Sequence, residues 1–142
     1  MQTIKAFLEK SPRDICSVRP EQTVWEALQI LADNNIGALV VMQGTQMVGI
    51  FSERDYARRV ELKDRLTRET QVRDVMTAEF ITIKPEQPMD ACMPIMTDNR
   101  IRHLPVMKDG QLMGMVSIGD VLLVMISEQK RMIDQLQSYI SG

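Results

Sequence analysis

Apolar and polar positions fall in the same order twice along this chain. In the first copy, Val24, Ala27, Leu28 and Leu31 recur at helical spacing. Thr23 stands before them as an N-cap, with Glu26 placed three residues on for a capping box. This pattern predicts a helix over 24–34. Residues 36–42 form a continuous apolar run rich in β-branched side chains and read as a buried strand. Gly44 and Thr45 turn the chain, 46–51 returns as a further strand, and a second helix begins near Ser52. A short extended stretch over 14–18 precedes all of this and ends at Pro20, which stops a strand. The unit is strand, helix, strand, strand, helix.

Residues 15–56 align without a gap on residues 80–121. Identical pairs include Pro20 with Pro85, Asp33 with Asp98, Asn34 with Asn99, Gly49 with Gly114, Ser52 with Ser117 and Asp55 with Asp120. Other positions exchange one apolar residue for another, as Val18 with Ile83 or Phe51 with Val116. An internal repeat constrains the whole fold. The second copy opens with an extended stretch over 79–83 and carries the stronger hairpin signal, Asp109-Gly110. Pro94 lies inside its first helix, where it removes a backbone donor, so a kink or break is expected near Asp90.

Residues 61–71 are charged and polar and read as an exposed connector; 72–76 re-enter the core. After Asp120 the helical pattern runs to the C-terminus, with Leu122, Ile126, Ile133, Leu136 and Ile140 on one stripe and Gln129 filling a slot. That stripe needs a partner, either the protein's own body or a second copy across a two-fold axis. Residues 2–10 form a short amphipathic segment, and Trp25 reads as exposed or at an interface. The expected division is 1–66, an N-terminal segment with the first motif, and 67–142, the second motif with its long helix. The two would share one compact module of α/β class with α+β character.

Composition narrows the function. The 142 residues make one ordinary domain, able to bury roughly two-thirds of the unfolded surface. Seventeen basic and nineteen acidic residues leave a net charge of −2, which argues against a general nucleic-acid binder. The longest strictly apolar run, 121–126, is far short of the ~20 residues of a membrane helix. Charged Lys5, Glu9 and Lys10 interrupt the N-terminus, so no signal peptide is expected. Cys16 and Cys92 occupy unrelated repeat positions, and the chain holds one histidine. No structural metal site is expected, and a reducing, cytoplasmic setting fits.

The distinctive element is Gly-x-x-Ser-x-x-Asp, present at Gly49, Ser52 and Asp55 and again at Gly114, Ser117 and Asp120. One plain reading is a helix start, in which serine and the following acid cap backbone N–H groups. The same atoms can do chemistry. A helix N-terminus attracts phosphate, a serine hydroxyl adds a donor, and an aspartate one turn on accepts two hydrogen bonds from a ribose diol. Two occurrences at matching repeat positions raise the second reading.

The repeat, the doubled motif and the run Ile101-Arg102-His103-Leu104-Pro105-Val106 resemble a cystathionine-β-synthase (CBS) domain pair over about 12–128. The stretch 52–58 is similar to small stand-alone bacterial signal-transduction members. The resemblance implies two related clefts binding adenosine ligands, namely AMP, ADP, ATP, NAD or S-adenosylmethionine. Aspartate would hold ribose and serine phosphate, which carries over to Asp120 with Ser117 and to Asp55 with Ser52. Thr82, Ile83, Ile101 and Pro105 would flank the base in one cleft, and Ser17, Val18, Gly37 and Ala38 in the other. Arg102 and His103 stand where the family often contacts phosphate; alternatively they are a strand-end charge and a structural histidine. Arg54 and Arg58 either reach a phosphate or form a solvated helix face.

The sequence shows no nucleophile–base pair, Walker loop or metal cluster, so no enzyme and no catalytic cofactor are expected. The expected function is a homodimeric sensor of an adenosine nucleotide, acting on a downstream protein, with no membrane contact and no nucleic acid. The alternative is a ligand-free dimerisation module with vestigial pockets.

Overall fold

A computed structural model describes residues 1–141. The chain forms two compact units: one comprises residues 1–13, 82–108 and 113 onward, the other 14–81 and 109–112. The amphipathic N-terminal segment therefore folds into the same unit as the second copy.

The unit built on the first copy holds a three-stranded sheet. Strand β1 (Ser17–Val18) pairs parallel with β2 (Ala38–Gln43), which pairs antiparallel with β3 (Gln46–Ser52). Helix α2 (Val24–Asn34) has the boundaries its periodicity predicts. The Thr23 hydroxyl accepts from Glu26 N–H at 3.2 Å. The two N–H groups ahead of it, on Val24 and Trp25, donate to the Thr70 and Thr67 carbonyls. The polar connector thus satisfies helix donors that have no intrahelical acceptor. Asn35 closes the helix in the left-handed region. Trp25 is partly exposed, with the Arg68 guanidinium 4.2 Å over its ring. The core gathers Val18, Val24, Ala27, Leu31, Leu39, Val41, Phe51, Val60, Val72 and Val75. Gly44, at φ 63°, opens the β2–β3 turn as a II′ geometry requires.

The unit built on the second copy repeats this arrangement around β4 (His103–Lys108) and β5 (Gln111–Ser117). Ile83 bridges Val106 in parallel, the register in which Val18 meets Val41 in the first copy. Asp109 and Gly110 both have positive φ, 52° and 77°, matching the Asp-Gly hairpin signal. Helix α1 (Ile4–Lys10) supplies Ile4 and Phe7 to a core with Met89, Cys92, Met96, Leu104, Val106, Val116 and Val121. Burial pushes the Cys92 thiol up to about 11, so it is an inert core side chain.

Two expectations change. The opening strands are shorter than 14–18 and 79–83: β1 is two residues long and its counterpart is the single bridge at Ile83. Residues 13–15 and 81–82 are exposed, so nothing buries a longer strand there. The break near Asp90 is a 3₁₀ turn, Met89–Ala91, ahead of α4 (Cys92–Asn99). Pro94 becomes the third residue of α4, a position whose N–H has no intrahelical acceptor, so its missing donor costs no hydrogen bond.

Helix α5 (Ile118–Ser141) continues the second copy. Only Val121 and Val124 of it are buried; Leu122, Ile126, Ile133, Leu136 and Ile140 are exposed. Its stripe does not close on its own unit. No helix among the described residues is long and apolar enough to cross a membrane.

The two motif glycines face different neighbours. A Cβ on Gly49 would lie 2.6 Å from Met76 Sδ and 3.1 Å from the Thr77 carbonyl oxygen. A Cβ on Gly114 would meet the mobile tip of Leu8 at 3.0 Å. Gly49→Ala is expected to cost about 1–3 kcal/mol by overpacking against Met76 with the Thr77 carbonyl behind it, and Gly114→Ala less than about 1 kcal/mol. Denaturant titration of the two variants reads the difference; equal costs would contradict it.

Candidate functional site

Each copy brings its motif to one place by the same backbone contact. Where β3 ends, Glu53 N–H donates to the Gly37 carbonyl at 3.0 Å; where β5 ends, Ile118 N–H donates to the Arg102 carbonyl at 2.8 Å. The helix start carrying serine and aspartate is thereby tied to the beginning of the second strand. Ala38 pairs directly with Ser52 across β2 and β3.

In the first motif Ser52 caps α3 (Glu53–Asp55) in a complete capping box. Its hydroxyl accepts from Asp55 N–H at 3.2 Å and donates to Asp55 Oδ2 at 3.0 Å. Oδ2 also accepts Ser52 N–H at 2.9 Å, and Oδ1 accepts the Thr77 hydroxyl at 3.1 Å. Asp55 is buried, at 8% exposure. A π-helical turn, Tyr56–Val60, follows at once. Arg59, four residues on from Asp55, lies with Nε 3.9 Å from Oδ1 and Nη1 donating to the Met76 carbonyl at 2.8 Å. Arg54 and Arg58 are both exposed.

The second motif makes the same cap: Ser117 N–H donates to Asp120 Oδ2 at 2.8 Å and Asp120 N–H to the Ser117 hydroxyl at 3.2 Å. Here α5 continues without a π turn. The carboxylate is met instead by Arg13, whose Nη1 lies 2.8 Å from both oxygens. Arg102 is exposed and His103, at the start of β4, is half-buried.

Most of the strand residues expected to flank a base are buried or half-buried, and Val18 and Ile83 belong to the two hydrophobic cores. Val18, Ala38, Ile83 and Pro105 are buried, and Ile101 and Gly37 half-buried; Ser17 and Thr82 are exposed. Ile83 N–H donates to the Pro105 carbonyl at 3.0 Å and its carbonyl accepts Met107 N–H at 2.9 Å, which joins the two strands. Pattern reading missed Thr77, Arg59 and Arg13. Thr77 and Arg13 occupy neighbouring repeat positions just before each copy. That placement was a readable signal: each pre-repeat segment meets a motif aspartate of the other copy. No group of residues suited to hold a metal occurs among the described residues.

The CBS domain profile matches residues 11–62 and 72–127. This chain belongs to the CBS domain family. A CBS domain-containing protein of Arabidopsis thaliana, described as mitochondrial, is 43% identical over 127 residues, which is 86% of this chain and 62% of that protein. The chain thus spans less than two-thirds of that relative. The structure of a CBS-domain protein from Burkholderia ambifaria superposes with a TM-score of 0.86 at 40% identity, covering 90% of this chain and 96% of that one. Two more distant structures share the CBS pair fold. One, from Pyrobaculum aerophilum, is complexed with AMP, at 24% identity and TM-score 0.76, covering 89% of this chain and 99% of that one. The other contains 5′-methylthioadenosine and S-adenosylmethionine, at 22% identity and TM-score 0.78, covering 90% and 98%. The chain is a tandem CBS pair with a long C-terminal helix.

Proposed function

We propose that this CBS pair is a non-catalytic regulatory module that binds adenosine ligands at its two Ser-x-x-Asp motifs and signals through a homodimer. The observation that carries this reading is the doubled geometry: a serine, an aspartate and a strand-start carbonyl held in one arrangement in both copies. The complexes of related CBS proteins with AMP and with S-adenosylmethionine support the ligand class.

Asp120 and Asp55 accept the ribose diol, and Ser117 and Ser52 contact phosphate. Arg102 and His103 add cationic and hydrogen-bonding capacity at the second motif, which Gly37 and Ala38 lack at the first. Thr82, Ile83, Ile101 and Pro105, and Ser17 and Val18 in the first copy, line the approach to the base. Arg54 and Arg58, both exposed, are the further arginines this reading assigns to a phosphate chain. The exposed stripe of α5 supports a two-fold contact between copies. Two free thiols fit a cytoplasmic, reducing setting.

A second reading has its own support: both Ser–Asp pairs are complete helix caps whose polar atoms already satisfy one another. The protein would then be a dimerisation module with vestigial pockets. Calorimetric titration with AMP, ADP, ATP, NAD, S-adenosylmethionine and GTP separates the two. Adenosine-selective binding that Asp120→Ala abolishes at one site and Asp55→Asn at the other is the expected result. An intact dimer that binds none of them at millimolar concentration would establish the second reading.

A further inference from the structure

Arg13 and Asp120 lie 107 residues apart in the chain and meet in one unit. The contact is built rather than incidental. The Arg13 guanidinium rests 5.0 Å over the ring of Phe7, itself buried in the core, and its Nε donates to the Ser11 carbonyl at 3.3 Å. One terminal nitrogen donates to both carboxylate oxygens at 2.8 Å. The Asp120 side chain is only 12% exposed, so few directions of approach to those oxygens remain.

The first motif has no such partner. Arg13 corresponds in the repeat to Ala78; Asp55 receives the neutral hydroxyls of Thr77 and Ser52, and the Arg59 guanidinium stands 3.9 Å off, beyond hydrogen-bond distance. The asymmetry is chemical: one aspartate is met by a charge-assisted pair of bonds, the other chiefly by neutral donors.

A vicinal diol binds a carboxylate by donating two hydrogen bonds, one to each oxygen. Arg13 donates to those same two oxygens. We propose that Arg13 is an intramolecular latch on the second motif, competing with a ribose diol for Asp120. This rests on the nucleotide reading above. Ligand entry at Asp120 exchanges the guanidinium for the diol and frees residues 11–13, so that occupancy of this motif is reported at the N-terminal segment. The first motif lacks the latch and fills without this exchange.

Arg13 is about one-third exposed, so solvent weakens the pair. The competition is worth roughly a three- to tenfold change in affinity. Adenosine is the sharper probe because it carries the diol without a phosphate that could itself pair with Arg13. Calorimetry on the full chain would compare wild type, Arg13→Gln, Arg13→Lys, Asp120→Ala and the Arg13→Gln/Asp120→Ala double variant, each titrated with adenosine and AMP. The expected result is adenosine binding tightened roughly three- to tenfold by Arg13→Gln, less by Arg13→Lys, with the gain absent in the double variant. Hydrogen exchange at the Ser11 and Arg13 amides should rise when wild type is saturated with AMP. Unchanged or weaker adenosine binding in Arg13→Gln, with binding still lost in Asp120→Ala, would overturn the latch and leave the nucleotide site standing. Absence of binding in every variant would defeat the nucleotide reading and the latch with it.

Discussion

Phe51→Ala is expected to lower stability by about 4 kcal/mol, near the upper part of the range for truncating a buried phenylalanine. Phe51 is fully buried on β3. It belongs to a core cluster with Val18, Val24, Val41, Val60, Val72 and Val75, and with Ala27, Leu31 and Leu39. Valine side chains are stiff about their first torsion and too short to reach into the vacated space. The cavity therefore persists, and the cost includes the void as well as the lost transfer energy. The other unit offers a contrast. The counterpart of Phe51 is Val116, and the volume is made up by Met89 and Met96, with Met93 and Met125 packed against the cluster. Methionine adapts to irregular space. Leu104→Ala, also fully buried, should thus cost only about 2 kcal/mol, the low end for leucine. Thermal melts should show a fall of roughly 10–15 °C for Phe51→Ala and about half that for Leu104→Ala. Equal losses would mean that methionine does not relax into the second cavity.

The same contrast marks what patterning can and cannot deliver. Helix α2 has the boundaries predicted from its sequence because a cap, a period and a left-handed Asn35 all lie within the segment. The hairpin turns were equally local, since Gly44 and Asp109-Gly110 carry the positive φ values themselves. Opening strands were overextended because a strand's length depends on its neighbour, and β2 offers β1 only two paired residues. Periodicity assumed an α-helix after Ser52 and so singled out Arg54 and Arg58. Arg59, one turn beyond Asp55 at i,i+4, is the arginine that reaches it, and the chain there widens into a π turn at Tyr56–Val60. Widened turns of this kind recur at functional sites, and the second copy has none. Arg13 was out of reach of any local rule. Its partner is fixed by the fold, and only the repeat alignment, which sets Arg13 beside the position of Thr77, hinted that both pre-repeat segments serve the motifs.

Asp55→Ala is expected to cost more stability than Asp120→Ala, although the two occupy one repeat position. Asp55 accepts Ser52 N–H, the Ser52 hydroxyl and the Thr77 hydroxyl, with Arg59 nearby, and it is buried. Removing it breaks the reciprocal half of the capping box and strips acceptors from half-buried donors of Ser52 and Thr77, for a total of about 2–3 kcal/mol. Thr77 also anchors residues 76–78 to β3, through mutual backbone bonds with Ile50 at 2.8 and 2.9 Å, so the loss extends beyond the cap. Asp120 contributes its cap and a solvent-screened pair with Arg13, about 1–2 kcal/mol together. Ser117 keeps its hydroxyl at the helix start, and α5 remains long enough to hold its own turn. Denaturant unfolding without ligand should therefore rank wild type above Asp120→Ala above Asp55→Ala, and the reverse order would assign the stronger structural role to the second motif. That ranking bears on function. On the proposed nucleotide reading, Asp55, engaged by four groups of Ser52, Thr77 and Arg59, can exchange few of them for a ribose, whereas Asp120, held by the Ser117 N–H and the Arg13 guanidinium, can exchange the guanidinium. The proposed exchange would make the second motif the responsive one and leave the first as the structural anchor. Loss of nucleotide binding in Asp55→Ala has to be judged against its loss of fold, and Asp55→Asn, which keeps an acceptor for the Ser52 N–H, is the variant that separates them.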